Sequence, residues 1–344
     1  MGFLASLLTE KGQRWLFVEF ASGAPDPEFD HEELAKDKTY AEIWLESMQI
    51  INTRRLATRF FPALTSEVAA THAGRAPGRY FVVTSPASLR NVGRTGAGHV
   101  QIESTCLAGP VPYRGGSIDV DLGLFRLKAT DLAEPYIGLL SEMAIAAGIA
   151  FAGPAAPLVA PLLAGLTGLM RAATKEGLEI GLSKQFRKPR AGLFAIFGMP
   201  DSAGNRKRLS LDQDMQVRLD GQPLEGIPYI LFSIQRVPNR YDWRELPDVG
   251  RAYQRAREAL EPGGRHGDVS ELLAAFERTT RLSNDLITSD AEHIIHEVRT
   301  QFTNVSQSRE LTASKAQQPL PPRWEKLPID WHRPRDPLGR TRRT

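Results

Sequence analysis

Cysteine is nearly absent from this sequence, and one long stretch of it has no charge. Cys106 is the sole cysteine among 344 residues, so the chain can form no internal disulfide and no thiolate metal cluster of its own. The apolar run near the start covers only residues 3–8 and follows no basic residue, which argues against a secretory signal peptide. Together with the many Ala, Gly and Arg residues, these features predict a bacterial, cytoplasmic protein.

Recognisable catalytic and nucleotide-binding motifs are also missing. The sequence contains no G-x-S-x-G, no H-E-x-x-H and no G-x-x-x-x-G-K-[ST]. The glycine-rich stretch 93–98 lacks the Lys and Ser/Thr of a phosphate-binding loop, so we interpret it as a connection. We expect a non-enzymatic protein without a cofactor or a bound metal. An enzyme without a recognisable motif is the third interpretation, after two non-enzymatic ones given below.

The excess of basic residues lies in the C-terminal tail. Residues 316–344 contain seven Arg or Lys and three Asp or Glu, a net charge of +4, while the whole chain carries +3. Residues 1–315 therefore sum to −1. Binding to nucleic acid needs clustered basic charge on the folded body, so we predict that nucleic acid is not a partner.

Short apolar segments predict a mainly antiparallel sheet in a first domain, residues 1–245. In residues 117–128, apolar side chains alternate with Asp119 and Asp121, which we place on the solvent side, and the alternation slips near Gly123, which indicates a bulge. The Asp220-Gly221 pair predicts a hairpin turn. Other strands are predicted from residue 178 and in segments 15–20, 80–84, 100–107, 193–197, 215–219 and 229–237.

Helices are predicted in two places before the uncharged stretch and in three places after the sheet. Asp30 with Glu33 has the spacing of a capping box, and residues 40–61 have a partial helical stripe. After Pro247, residues 248–260, 268–282 and 289–302 have helical spacing, and Ser289 with Glu292 resembles another capping box. We predict that residues 246–315 form a small helical unit.

The tail, residues 316–344, contains six prolines, which preclude a regular helix. It also contains Trp324 and Trp331, and an exposed indole gains by packing on a surface. We predict an extended strap that lies on its own body or on a partner protein, with the two tryptophans as candidate partner-binding residues.

Residues 143–170 form a run of 28 residues without any charge. Gly153-Pro154 divides the segment, so we predict helices over 131–152 and 155–173, the first capped by Asp131 with Glu134. The 28 residues include nine Ala, four Gly and three Pro, so transfer into lipid is only weakly favourable. We therefore predict a helical hairpin, residues 131–175, rather than a constitutive transmembrane anchor. The resulting fold class is α+β: a mainly antiparallel sheet body with an inserted apolar hairpin, a C-terminal helical unit and a Pro-rich strap.

Two roles of the hairpin fit the sequence. It can be a permanent part of the core, with small residues that allow close packing, or it can be stored in the fold and enter a membrane after a trigger. In the second role the basic residues at its end would stay at anionic headgroups. The candidate membrane-contact residues are Phe151, Leu158, Leu162, Leu163, Leu166, Leu169, Arg171 and Lys175.

Weaker side-chain patterns do not support chemistry. His99 and Cys106 would point to opposite faces of one regular strand, so we interpret Cys106 as a small buried thiol. His293 and His296 have the i, i+3 spacing of a helical metal pair, which is also frequent on any polar helix face. Asp119 and Asp121 alone supply too few oxygen ligands for calcium.

Two functional hypotheses follow. In the first, the chain is an effector, for instance in defence or competition, that acts on membranes through residues 135–170. Its trigger would be a regulator, a protease or self-assembly, and it would be cytoplasmic until it becomes membrane-associated. In the second, the chain is a soluble interaction or assembly module whose hairpin is core and whose C-terminal helices and tail bind a partner protein.

Overall fold

A computed structural model shows a mixed α+β protein in which antiparallel sheets dominate, and this confirms the fold class in its general form. The hairpin predicted over 131–175 and the strap predicted over 316–344 lie outside the described residues. The structure describes residues 15–20, 31–51, 54–55, 58–70, 78–83, 99–100, 105–128, 178–212, 215–260 and 269–314.

Among the described residues, the strands lie within the first 237 positions, and the three longer helices follow them. The strands are β1 (Trp15–Phe20), β2 (Tyr40–Gln49), β3 (Arg54–Arg55), β4 (Thr58–Ala70), β5 (Gly78–Val83), β6 (His99–Val100), β7 (Thr105–Pro112), β8 (Ile118–Lys128), β9 (Leu178–Phe186), β10 (Gly192–Pro200), β11 (Leu209–Leu211), β12 (Val217–Leu219), β13 (Gln222–Pro223) and β14 (Tyr229–Val237). The helices are α1 (Ala203–Arg208), a 3₁₀ turn (Trp243–Glu245), α2 (Pro247–Ala259), α3 (Val269–Leu282) and α4 (Thr288–Ser314).

Two sheets face each other across the main core. The larger has the order β1-β10-β14-β2-β6, with β7 also paired to β2, and the second has the order β3-β4-β8-β9, with β5 paired to β4. All of these pairs are antiparallel. Because side chains alternate along a strand, one face of each sheet supplies the core. Examples are Ile43 and Phe232 from the larger sheet and Leu122 and Ile180 from the second.

The outer face of the larger sheet carries a second core. There Phe197 and Leu231 pack with Val217 of the small sheet β11-β12-β13. The predicted Asp220-Gly221 turn is confirmed, since it joins β12 to β13 with both residues at positive φ, 52° and 78°, as a type I′ turn requires. The strand after it, β14, pairs with β10 and β2 instead of extending this hairpin.

The helical prediction for residues 40–61 is wrong, because β2 and β4 occupy most of that segment. A bulge explains the misleading pattern. In the ladder with β14, Leu231 lies opposite Ser47 and Phe232 opposite Leu45, so Glu46 is an extra residue. The extra residue shifts the phase of the core-facing side chains to Ile43, Leu45, Met48 and Ile50. The stripe that suggested a helix combines Tyr40 and Trp44, which lie outside this core series, with Met48, which belongs to it, because the regular alternation is lost at the bulge.

Two capping-box predictions also need correction. Residues around Glu33 form a bridge to Arg190 and a turn, not a helix, because the backbone of Leu34 donates to the Pro189 carbonyl. Ser289 lies within the first turn of α4, which begins at Thr288, and so does not cap it. The three C-terminal helices themselves lie where periodicity predicts them.

Asp121 was expected on the solvent side of β8, and this is wrong. Its side chain is buried beside Glu67 of β4, which lies directly opposite in the ladder and is buried too. The bulge predicted in β8 near Gly123 is not in that strand, because the extra residue is Glu179 of β9, opposite the step from Leu124 to Phe125. The ladder with β9 shifts between Leu124 and Phe125, while the ladder with β4 continues unbroken.

Candidate functional site

The strands before and after the apolar segment are paired with each other. β8 and β9 are hydrogen-bonded neighbours, with Phe125 opposite Leu178, so residues 129–177 begin and end at the same end of one ladder. The eight candidate membrane-contact residues are part of this insert and lie outside the described residues, as do Trp324 and Trp331 of the tail.

A buried polar junction joins the sheets to the C-terminal helices. Tyr40, at the start of β2, is fully buried, and its hydroxyl donates to Asp290 Oδ2 at 2.6 Å. The same hydroxyl accepts from the backbone N–H of Ile287 at 3.0 Å. Burial, and then the hydrogen bond to Asp290, raises the pKa of Tyr40 far above its usual value. Tyr40 therefore stays a neutral donor in this junction at physiological pH.

Arg240 lies between β14 and the 3₁₀ turn and is 3% exposed. Its backbone N–H donates to Asp290 Oδ2 at 2.9 Å, and its guanidinium forms a two-pronged pair with Asp242 at 2.7 and 3.0 Å. Its Nη1 also donates to the Pro110 and Asp285 carbonyls at 3.1 and 3.3 Å. One arginine thus connects β7, the chain between β14 and the helices, and the α3–α4 turn.

Arg114, between β7 and β8, makes the third contact. Its Nη2 donates to the carbonyls of Ser283, Asn284 and Leu286 at 3.3, 3.5 and 2.6 Å. These carbonyls follow the C-terminus of α3, where the helix dipole favours a cation, whereas Asp290 lies in the first turn of α4, where it favours an anion. The charges of the junction therefore match the two helix ends.

A second group of polar side chains surrounds Glu42 on β2. Trp44 Nε1 donates to Glu42 Oε2 at 3.0 Å. Burial, with a smaller effect of the negative charge of Asp242, raises the pKa of Glu42 above its usual value. Gly109 makes this packing feasible, since its φ is +133° and a Cβ there would come within 2.9 Å of the Ala41 carbonyl oxygen.

Cys106 and His99 do not share one strand, so that expectation is wrong. His99 lies opposite Gln49 and Cys106 opposite Trp44, on two separate strands paired to β2. Burial, and then the nearby Glu42, raises the pKa of Cys106 to about 12. The thiol is therefore protonated at neutral pH and is a poor nucleophile.

The remaining candidate metal-binding residues do not come together in one site in the part of the chain that the structure describes. His293 and His296 are both exposed on α4. Asp119 and Asp121 lie on β8, with Asp121 buried. No group of three or more His, Cys, Asp or Glu side chains among the described residues is arranged to hold a metal ion.

The residues of the polar junction were not found from the sequence. Tyr40 and Asp290 are 250 positions apart, and no local pattern links them to Arg114 or Arg240. Asp290 gives one weak signal of the junction. An acidic residue in the first turn of a helix is common, but Asp290 lies on the buried side of α4, where a charged side chain requires polar partners.

Among the helices in the described ranges, none is long and apolar enough to span a membrane. Comparisons of the chain with protein-family models, with curated proteins and with solved structures found no match.

Proposed function

We propose that this protein is a membrane-acting effector that stores residues 135–170 in its folded form and inserts them into a membrane after a trigger. The observation that carries the proposal is the position of the insert between two paired strands, β8 and β9. Because both ends of the insert meet at one end of the ladder, the insert can move out without unpairing any strand. Among the described residues, the core between the sheets is formed mainly by the strands themselves, for example by Ile43, Leu122 and Phe232.

The lengths are consistent with storage along the sheet. β8 has eleven residues and therefore spans about 36 Å at ~3.3 Å per residue. The first predicted arm, residues 131–152, would be about 33 Å long at ~1.5 Å per residue. An arm folded back along β8 would reach the end near Arg114 and the helices. An arm turned outward has 17 residues from Tyr136 to Ala152, about 26 Å at ~1.5 Å per residue, which is at the lower limit for spanning the ~30 Å apolar thickness of a bilayer.

The composition of the insert suits both states. Ala and Gly keep it soluble when it is covered, while Phe151, Leu158, Leu162, Leu163, Leu166 and Leu169 supply apolar contacts to lipid. Arg171 and Lys175 follow the apolar stretch and would remain at anionic headgroups. The trigger would be a regulator, a protease or self-assembly.

Leakage of dye from anionic phospholipid vesicles tests the proposal. The full chain is assayed intact and after limited proteolysis within residues 240–320. We expect leakage from at least one form, loss of that leakage in Leu162→Glu, and its retention in the control Leu282→Glu, whose side chain is 74% exposed. Absence of leakage from every form, or equal leakage from Leu162→Glu, would overturn the proposal.

A soluble interaction module is the second candidate, and one observation favours it. α4 has 27 residues, and among the described residues the core of the helical unit includes α4 side chains up to Val305. The last part of this helix, 306–314, therefore leads from that core towards the segment with Trp324 and Trp331. If the chain is such a module, deletion of 316–344 abolishes binding of a purified partner without changing the unfolding midpoint. Unchanged binding by the truncated chain would exclude this role of the tail.

A further inference from the structure

The C-terminal helices have a hydrophobic core of their own. Trp243, Tyr253, Phe276, Ile295 and Val298 belong to one cluster whose buried members all lie between residues 243 and 302. The two clusters of the sheet body, in contrast, contain buried residues numbered only up to 234. The part of the chain that the structure describes thus consists of two separately packed bodies, and no buried apolar cluster is shared between them.

Polar contacts hold the two bodies together. Tyr40, Arg114 and Arg240 approach the α3–α4 turn, and Asp290 receives two of their hydrogen bonds. We call these four residues the latch. The chain itself crosses from the sheets to the helices through residues 238–242, which include Arg240.

A polar interface of this kind opens differently from an apolar one. Separation of the two bodies would expose the polar groups of the latch together with two fully buried side chains that belong to none of the clusters, Tyr40 and Ile287. The apolar area exposed is therefore small compared with that of a hydrophobic core, and water can hydrogen-bond the polar groups. While the latch is closed, however, Tyr40, Arg240 and Asp290 are buried and Arg114 is partly buried, so loss of one partner leaves a donor or acceptor unsatisfied away from water. Such contacts therefore form and break together.

We propose that residues 243–314 form a detachable cap, which swings away from the sheet body about residues 238–242 when the latch opens, with both hydrophobic cores intact. The proposal concerns the helical unit and does not depend on whether the insert enters membranes. The latch is bonded to the turn between two helices, so opening requires no helix to unfold. Arg240 belongs both to the latch and to residues 238–242, about which the cap swings. Bending of the chain there therefore also breaks the hydrogen bonds that Arg240 makes in the latch.

Hydrogen exchange resolved by residue tests the proposal in the full-length chain. The variants are Arg114→Lys, which keeps the charge but whose shorter side chain does not reach the position of the Nη2 that donates to three carbonyls, and Tyr40→Phe. Tyr253→Phe is the matched control, because it removes a tyrosine hydroxyl inside the cap and away from the latch. The decisive amides are those of Ile287 and Arg240, which are bonded to Tyr40 and Asp290 and not to Arg114.

In Arg114→Lys we expect both amides to exchange roughly ten- to a hundred-fold faster, by one common factor, as the loss of hydrogen bonds to a charged group implies. Amides in the middle of β14 and of α4 should keep their wild-type rates. Acceleration confined to residues 283–286, where Arg114 binds, would show local loosening and overturn the proposal. Equal acceleration in the middle of α4 would show that the cap unfolds instead of detaching, which also overturns it. Tyr40→Phe should accelerate the Arg240 amide in the same way, and Tyr253→Phe should leave it unchanged.

Discussion

A cluster of aromatic rings between the edge strands of the two sheets gives a quantitative test of how the core is stabilised. Phe194 on β10 lies 5.1 Å from Phe186, 5.5 Å from Phe232 and 6.1 Å from Phe17, measured between ring centroids. Phe197, on the opposite face of the same strand, has one described ring neighbour, Tyr229 at 6.0 Å. Both phenylalanines are almost completely buried.

The comparison of Phe194→Leu with Phe197→Leu isolates the ring contacts. Both substitutions remove a similar volume from a buried site on one strand, so the loss of apolar transfer energy is similar. Phe194→Leu also removes three ring pairs and Phe197→Leu one. Because each such pair is worth about 0.5–1.5 kcal/mol beyond area burial, we expect Phe194→Leu to lower the free energy of unfolding by about 1–3 kcal/mol more than Phe197→Leu does.

Urea unfolding followed by circular dichroism measures this difference, provided that the two variants have equal denaturant slopes. A double-mutant cycle between Phe194 and Phe186, the nearest ring, should give a coupling energy of about 1 kcal/mol. If Phe197→Leu is as destabilising as Phe194→Leu, ring geometry does not determine the stability of this core. A coupling energy near zero would lead to the same conclusion.

Three further predictions concern single side chains. The pKa of Cys106, about 12, predicts that its reaction with an aromatic disulfide reagent at mildly alkaline pH is about 100- to 1000-fold slower than that of a free thiol. Reaction at the free-thiol rate in the native protein would contradict this. The pKa of Glu42 is raised in the folded state, so the folded protein binds the proton of the Glu42 carboxyl group more tightly than the unfolded chain does. Protonated Glu42 therefore stabilises the fold at pH values below its unfolded pKa, and this stabilisation is lost as the pH rises through its folded pKa. Glu42→Gln should therefore flatten the pH dependence of the urea midpoint between acidic and neutral pH, and an unchanged slope would contradict the assigned shift. Gly221→Ala should cost about 1 kcal/mol, because Gly221 has φ +78°, whereas the control Gly204→Ala in α1 should be neutral or slightly stabilising; equal effects in thermal unfolding would refute the conformational argument.

Some elements could be predicted because their patterns are local and uninterrupted. The bounds predicted for β1 and β14 agree with the structure, since each is a segment of strand length that is rich in apolar and aromatic residues. The C-terminal helices were predicted within a few residues, except that α4 continues twelve residues beyond 302, to Ser314. In these segments the periodicity alone distinguishes strand from helix.

Other features could not be predicted, because they depend on distant residues. The bulge at Glu46 is defined by its partner strand β14, nearly two hundred positions away, and it turned a strand pattern into an apparent helical one. The burial of Asp121 depends on the neighbouring strands β4 and β9. The latch depends on four residues from four separate segments, and no spacing rule connects them.

The position of the insert between β8 and β9 also bears on how freely its length can change. A chain that closes a loop between two paired strands loses entropy only logarithmically with loop length, about 0.6 kcal/mol for each doubling. The 49 residues between Lys128 and Leu178 could therefore be shortened or extended at small cost, because the register of this ladder is fixed by cross-strand pairs such as Leu122 with Leu182 and not by a tight turn. The sheet body can thus act as a scaffold that accepts inserts of different length at this one position.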